Sequence, residues 1–190
     1  MTAEEYSLID RARQGDVKAF EELVYKYDKH VLAIAYSYHN SGDDAKDIYQ
    51  EVFLRVYKNI KNFEGKSEFS TWLHRITVNV CITHHSKKKR ISYIPLHQII
   101  DEEGENKSYH KEMITGSTSD QQTLDKEIYD NMQKIIDSLS GKQKMAVTLK
   151  YYNDMKIREI AEVMNCNEGT IKRYLFDAIR RMRTKLKNFS

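Results

Sequence analysis

Residues 156–186 read KIREIAEVMNCNEGTIKRYLFDAIRRMRTKL, and their periodicity decides the fold of the chain's C-terminal half. Ile157, Ile160, Ala161 and Met164 share one face of a short amphipathic helix, and Asn165-Cys166-Asn167 then interrupts the pattern with turn-forming residues. Asn167 suits the N-cap of a second helix, along which Ile171, Leu175, Ala178, Ile179, Met182 and Leu186 recur at three- and four-residue spacing. The spacing predicts a helix-turn-helix. From Asn167 onward Lys172, Arg173, Arg180, Arg181, Arg183, Lys185 and Lys187 face only Glu168 and Asp177, a net local charge of +5. A second helix held off the body by the first can enter the major groove, with Glu168, Thr170, Lys172, Arg173 and Phe176 at its groove-facing start. The plainer alternative is a solvated cationic helix that only keeps the chain soluble.

Working back from that stretch, Ser140 and Gln143 match a capping box for a helix to about Tyr152. Leu124, Ile128, Met132, Ile135, Ile136 and Leu139 predict another helix before it. Between Ser92 and Asp120 the periodicity disappears, and Pro95, the acidic run at 101–105, Gly116 and a Ser/Thr cluster read as a flexible linker. So long an unpatterned segment is unusual inside one domain, which places a boundary there. The expected organisation is residues 1–91, a linker over 92–120, and a second domain over 121–190.

The N-terminal part is also helical. A short helix over residues 4–13 ends before Gly15-Asp16, and Asp16 caps a long one carrying Phe20, Leu23, Val24, Tyr27, Val31, Ile34, Ala35 and Tyr38. After Asn40-Ser41-Gly42, Asp43 and Asp44 open a third helix with two apolar stripes, Ile48/Val52/Val56/Ile60 and Tyr49/Phe53/Tyr57. A helix on a globular surface needs only one, so the second stripe marks either a partner surface or contact on two sides within a bundle. The loop KNFEGK (61–66) leads to a helix capped by Ser67 or Ser70 and carrying Phe69, Trp72, Leu73, Ile76 and Val80. It runs into the cations Lys87, Lys88, Lys89 and Arg90. Aromatic rings beside a basic run suit single-stranded nucleic acid, whose bases stack while its backbone follows the charge; the plainer alternative is that Phe69 and Trp72 are core and the cations solvated.

Composition bounds the class. The 190 residues are 40% hydrophobic and 31% charged, with a net charge of +3, seven Gly and one Pro, which fits an all-α protein. No apolar run is long enough for a bilayer, and the polar, acidic N-terminus is not a signal peptide, so direct membrane insertion is not expected and a cytoplasmic location is. Cys81 and Cys166 lack partners at metal-finger spacing, no phosphate loop or nucleophile elbow is present, and neither cofactor nor metal is called for. A nucleic-acid-processing enzyme using Asp43, Asp44 and Asp47 as metal ligands is the minor enzymatic alternative.

The segments DAKDIYQEVFLRVYKNIKNFEGKSEFSTWLHRITVNV (44–80) and LSGKQKMAVTLKYYNDMKIREIAEVMNCNEGTIKRYLFDAIRRMRTKL (139–186) resemble conserved regions 2 and 4 of bacterial sigma-70 family factors. Two such motifs in this order, at this length, resemble the extracytoplasmic-function (ECF) subfamily. The resemblance implies a two-domain helical initiation factor that binds the clamp helices and flap of core RNA polymerase and promoter DNA, and that an anti-sigma factor restrains. It implies that Asp44, Asp47, Gln50, Glu51, Phe53 and Leu54 bind the polymerase. It assigns minus-ten recognition and melting to Asn62, Lys66, Ser67, Phe69, Trp72, Arg75, Asn79, Lys87, Lys88 and Arg90. It assigns the minus-thirty-five element to Asn167, Glu168, Gly169, Thr170, Lys172, Arg173, Phe176 and Arg180. Thr83, where relatives often carry Asp, and His84-His85 depart from the pattern. The other reading of the same residues is a stand-alone helix-turn-helix regulator whose N-terminal helices bind a ligand or dimerise.

Overall fold

The computed structural model describes residues 2–39, 41–92, 132 and 134–187, and among these every regular element is helical. Helix α1 (Ala3–Arg13) starts where Thr2 Oγ1 accepts the Glu5 N–H at 3.2 Å. Gly15, at φ 96°, makes the left-handed turn out of it. Asp16 then does two jobs. Its Oδ1 accepts the Ala19 N–H at 3.2 Å, capping α2 (Val17–His39), while Oδ2 takes both Nε and Nη2 of Arg11 at 2.9 and 2.6 Å. Of the expected spine of α2, Leu23, Tyr27, Val31, Ile34, Ala35 and Tyr38 are buried, and Phe20 and Val24 are half-buried against them.

Helix α3 (Gly42–Asn59) is capped by Ser41, whose Oγ faces the Asp44 N–H at 3.4 Å, and continues into a single 3-10 turn at Ile60–Asn62. Ile48, Val52, Val56 and Ile60 are all buried, as their stripe requires. The second stripe divides: Phe53 is core, Tyr49 is half-buried with its ring 4.8 Å from that of Phe53, and Tyr57 is exposed. Helix α4 (Phe69–Ser92) begins at Phe69 with the Glu68 carbonyl accepting the Trp72 N–H, so neither Ser67 nor Ser70 caps it. Its Phe69, Leu73, Val78, Val80 and Cys81 close the four-helix N-terminal bundle.

Most of the expected linker and the helix proposed from Leu124 lie outside the described residues. The chain resumes as helix over 134–137, burying Ile135, Ile136 and Leu139. The capping box forms, with Ser140 N–H on Gln143 Oε1 at 3.2 Å and Gln143 N–H on Ser140 Oγ at 3.3 Å. Helix α5 (Gly141–Val147) is shorter than expected, because the ladder widens into a π turn over Thr148–Tyr152. Helices α6 (Ile157–Val163) and α7 (Glu168–Lys187) follow as the sequence predicts. The turn between them places Asn165 at φ 50°, a value asparagine tolerates. Ile160, Ala161, Ile171, Leu175 and Ala178 lock the two helices together, while Leu186, expected on the inner face, is largely exposed.

The two halves touch. Helix α4 lies against α5 and α6, and one hydrophobic cluster of buried residues runs from Ile9 to Ala178.

Candidate nucleic-acid interface

The recognition helix is presented as its chemistry demands. Asn167 Oδ1 accepts both the backbone N–H and the hydroxyl of Thr170, at 2.8 and 2.9 Å, so this side chain is committed to capping. Glu168, Gly169, Lys172, Arg173 and Arg180 are exposed, Thr170 is half-buried, and Phe176 stands 66% exposed on the same outer side. Hydrophobic burial on one side of α7 thus leaves a row of donors, one acid and an aromatic ring facing solvent. Arg180 lies 3.6 Å from Asp177, a surface pair that contributes little and is easily exchanged for phosphate.

In the N-terminal half a cavity of about 320 Å³ is lined by Arg55, Asn59, Asn62, Trp72, Ile76 and Asn79. Three of these, Asn62, Trp72 and Asn79, were expected at the minus-ten site. Trp72 is held from behind, its ring 5.2 Å from Phe63 and 5.5 Å from Phe69. Asn59, Asn62 and Asn79 line this cavity together with the indole, and an aromatic ring beside amide donors and acceptors has the chemistry to stack a planar base and hydrogen-bond its edge. Asn59 Nδ2 donates to the Arg55 carbonyl at 2.8 Å, and Arg55 Nε donates to Glu51 Oε1 at 2.6 Å, so the outer wall is ordered by its own bonds.

Arg55 and Asn59 were missed by the sequence reading. Their signal was the spacing of 55, 59 and 62, which puts three polar side chains on one outer strip where α3 passes into its 3-10 turn.

Other expected site residues are placed differently. Phe69 is 2% exposed, with its ring 5.3 Å from Tyr27 and 5.5 Å from Phe63, so it supports Trp72 from the core and cannot offer a face to DNA. Phe53 is likewise core, because α3 is contacted on two sides; the exposed apolar positions of that helix are Leu54 and Tyr57, 48% and 52% exposed. Tyr57 makes an edge contact with Phe20 at 5.0 Å. Asp47 and Gln50 are exposed beside Leu54, whereas Glu51 is tied to Arg55. Asp44 is tied to α4: its Oδ2 accepts from Lys88 Nζ at 2.7 Å. Burial pushes the Asp44 carboxyl up, but the Lys88 ammonium outweighs it and holds the group below its ordinary range. Asp43 lies 3.8 Å from Lys46 and Asp47 points to solvent, so the three aspartates do not converge.

Ser67 is half-buried, and Lys66 is exposed and ion-paired with Glu64 in the loop. Lys87 is exposed, and the backbone at Arg90 continues α4. Arg75 Nε donates to the Glu162 carbonyl at 3.1 Å, and its Nη2 is 3.6 Å from the Glu162 carboxylate, an engagement between the halves that no local pattern announces.

Comparison with known proteins fits this arrangement. Residues 23–91 match the model for Sigma-70 region 2, and residues 129–182 match that for Sigma-70, region 4. The chain is similar to the ECF RNA polymerase sigma-E factor of Haemophilus influenzae, with 32% identity covering 95% of this chain and 94% of the relative. It is 29% identical to the ECF RNA polymerase sigma factor SigW of Bacillus subtilis, covering 95% of each. The fold is similar to that of the sigma factor RpoE of Bartonella quintana, solved with the anti-sigma factor NepR, at TM-score 0.58 and 22% identity over 90% of this chain and 98% of that one. With two family models, in order, spanning most of the sequence, and with full-length similarity at this level, the chain belongs to the extracytoplasmic-function group of the sigma-70 family.

Proposed function

We propose that this protein binds core RNA polymerase and directs promoter-specific initiation, with residues 1–91 opening the minus-ten element and residues 121–190 reading the minus-thirty-five element as duplex. The observation that carries the reading is the pairing of two unlike nucleic-acid surfaces on one chain. A cavity built from Trp72 and three asparagine amides suits an unstacked base, and the exposed basic start of α7 suits a major groove. Unstacking a base costs a few kcal/mol, which polymerase and backbone contacts supply.

On this reading Leu54 and Tyr57, with Asp47 and Gln50 beside them, meet the clamp helices. Arg55 and Asn59 join Asn62, Trp72 and Asn79 at the base pocket. Lys172, Arg173 and Phe176 meet the upstream element, and the flap holds the C-terminal domain. An anti-sigma factor is the expected restraint. Any catalysis belongs to the polymerase, and the working compartment is the cytoplasm; among the described residues no helix is long and apolar enough to cross a membrane.

A binding titration separates this from a stand-alone regulator. Fluorescently labelled protein mixed with core polymerase should form a stoichiometric complex, and that complex should then retain promoter DNA. Tight operator binding without polymerase, on palindromic sites matching a dimer, would favour the regulator instead.

A further inference from the structure

The seam between the halves is made by α2 and α4 on one side and by α5, the π turn and α6 on the other, and its best-defined part joins the end of α2, α4 and the start of α5. Tyr38, fully buried, donates its hydroxyl to the Gly141 carbonyl at 3.1 Å. Position 141 is tightly packed: a Cβ there would stand 3.2 Å from Tyr38 Oη, close enough that the ring would have to give way slightly, and 3.5 Å from Ile82 Cγ2 and 3.6 Å from His85 Cδ2, so a larger side chain would press the halves apart. Lys144, with only 3% of its side chain exposed, reaches Asp137 Oδ1 at 2.6 Å and sits 5.2 Å from the Tyr38 ring centre.

Three imidazoles back this contact. The His39 ring lies 4.9 Å from His84 and 6.4 Å from His85, and Tyr38 lies 4.9 Å from His39 and 5.8 Å from His85. His84 Nδ1 and His85 Nε2 are buried with no hydrogen-bond partner among the described residues. His39 Nε2 meets the Cys81 carbonyl at 3.4 Å, and its Nδ1 is 4.0 Å from Asp44 Oδ2. The ionisable groups facing the cluster are Tyr38 from α2, Asp44 from α3, Cys81, Lys88 and Lys89 from α4, and Asp137 and Lys144 from the C-terminal half. Of the two carboxylates, Asp44 is engaged by Lys88 and Asp137 by Lys144. A proton added to His39 is opposed by burial, by His84 and by Lys144 and is favoured by Asp44, which Lys88 already holds; one added to His85 is opposed by burial and Lys144 and is favoured by Asp137, which Lys144 already holds.

We propose that this seam is a proton-operated clasp: charging His39 and His85, which pack around the seam with His84, separates the two halves and releases Arg75 from Glu162. Burial, then His84 and Lys144, pull the His39 imidazole down to about 4, and burial with Lys144 lowers His85. A base whose affinity for protons is depressed in the closed form stabilises that form above its ordinary range, near 6.5, and the stabilisation is lost as pH falls from there toward 4. The closed form keeps Arg75 on the helix-turn-helix domain, so opening is a precondition for its use on DNA. That consequence rests on the proposed function; the clasp itself does not.

The test is small-angle X-ray scattering of the full-length protein without DNA, from pH 7.5 to pH 4, at fixed ionic strength. Circular dichroism follows helix content, and proton NMR follows the histidine ring signals. The radius of gyration should rise with helix content unchanged, at the pH where the ring signals of these histidines titrate. The H39Q/H84Q/H85Q variant should hold the pH 7.5 radius throughout, and Gly141→Leu should be expanded at every pH. A wild-type radius that never changes while the helices persist would overturn the clasp. So would expansion at a pH where no histidine titrates, or expansion only as the helices melt; these readings need no variant to fold. Fluorescence anisotropy with a labelled minus-ten single strand forms a separate arm. Expansion without any gain in binding upholds the clasp and counts against the role of Arg75 on DNA.

Discussion

At the scale of single residues, the helix caps show side chains acting on their own neighbourhood. Asn167 caps α7, and Ser140 and Gln143 form their box, because the partner lies three residues away and spacing alone specifies it. Phe69 and Phe53 were not legible in this way, since an aromatic residue at helical spacing does not say which neighbour covers it. The Arg75–Glu162 contact, 87 residues apart, has no local signature at all. Two predictions belong here. Trp72→Ala removes the stacking platform and should weaken binding of a minus-ten single strand by about 1–3 kcal/mol, read from quenching of a fluorescent base analogue placed at the melted position. Lys172→Ala or Arg173→Ala should weaken duplex upstream-element binding at all sequences and reduce the salt dependence of log K by about one per lost phosphate contact. A slope that stays put would identify that residue as a base reader or as a bystander.

At the scale of elements, α3 is the informative case. Its surplus apolar surface was visible as a second stripe, but the stripe's fate depended on packing: α2 and α4 both lie against α3 and claim Phe53, while Leu54 and Tyr57 stay outside. Truncating Phe53 to Ala should therefore cost about 3–5 kcal/mol of stability, seen as a lowered thermal midpoint. Leu54→Ala should leave the midpoint nearly unchanged yet raise the dissociation constant for core polymerase. A Leu54→Ala protein that melts early and binds normally would reverse that division. The π turn that shortens α5 was also beyond the pattern, because periodicity over five residues does not distinguish a widened ladder from a regular one.

At the scale of the whole molecule, a two-domain helical chain was readable from two periodic halves around an unpatterned middle. The contact between them was not, since Tyr38, Gly141, Lys144 and the three histidines come from stretches far apart in the sequence and no local spacing joins them. Placed together, they make each half a constraint on the other. If α7 reads the upstream element as proposed, it need only be a weak address, with the remaining affinity supplied by the N-terminal half through effective concentration, so the isolated C-terminal segment should bind promoter DNA poorly. The most direct test of the account is transcription in vitro with purified core polymerase, across a promoter library, with and without this protein. The account predicts discrete initiation sites that appear only when the protein is added and vanish with Trp72→Ala. A protein that never associates with core polymerase, or that leaves the pattern of start sites unchanged, would contradict it.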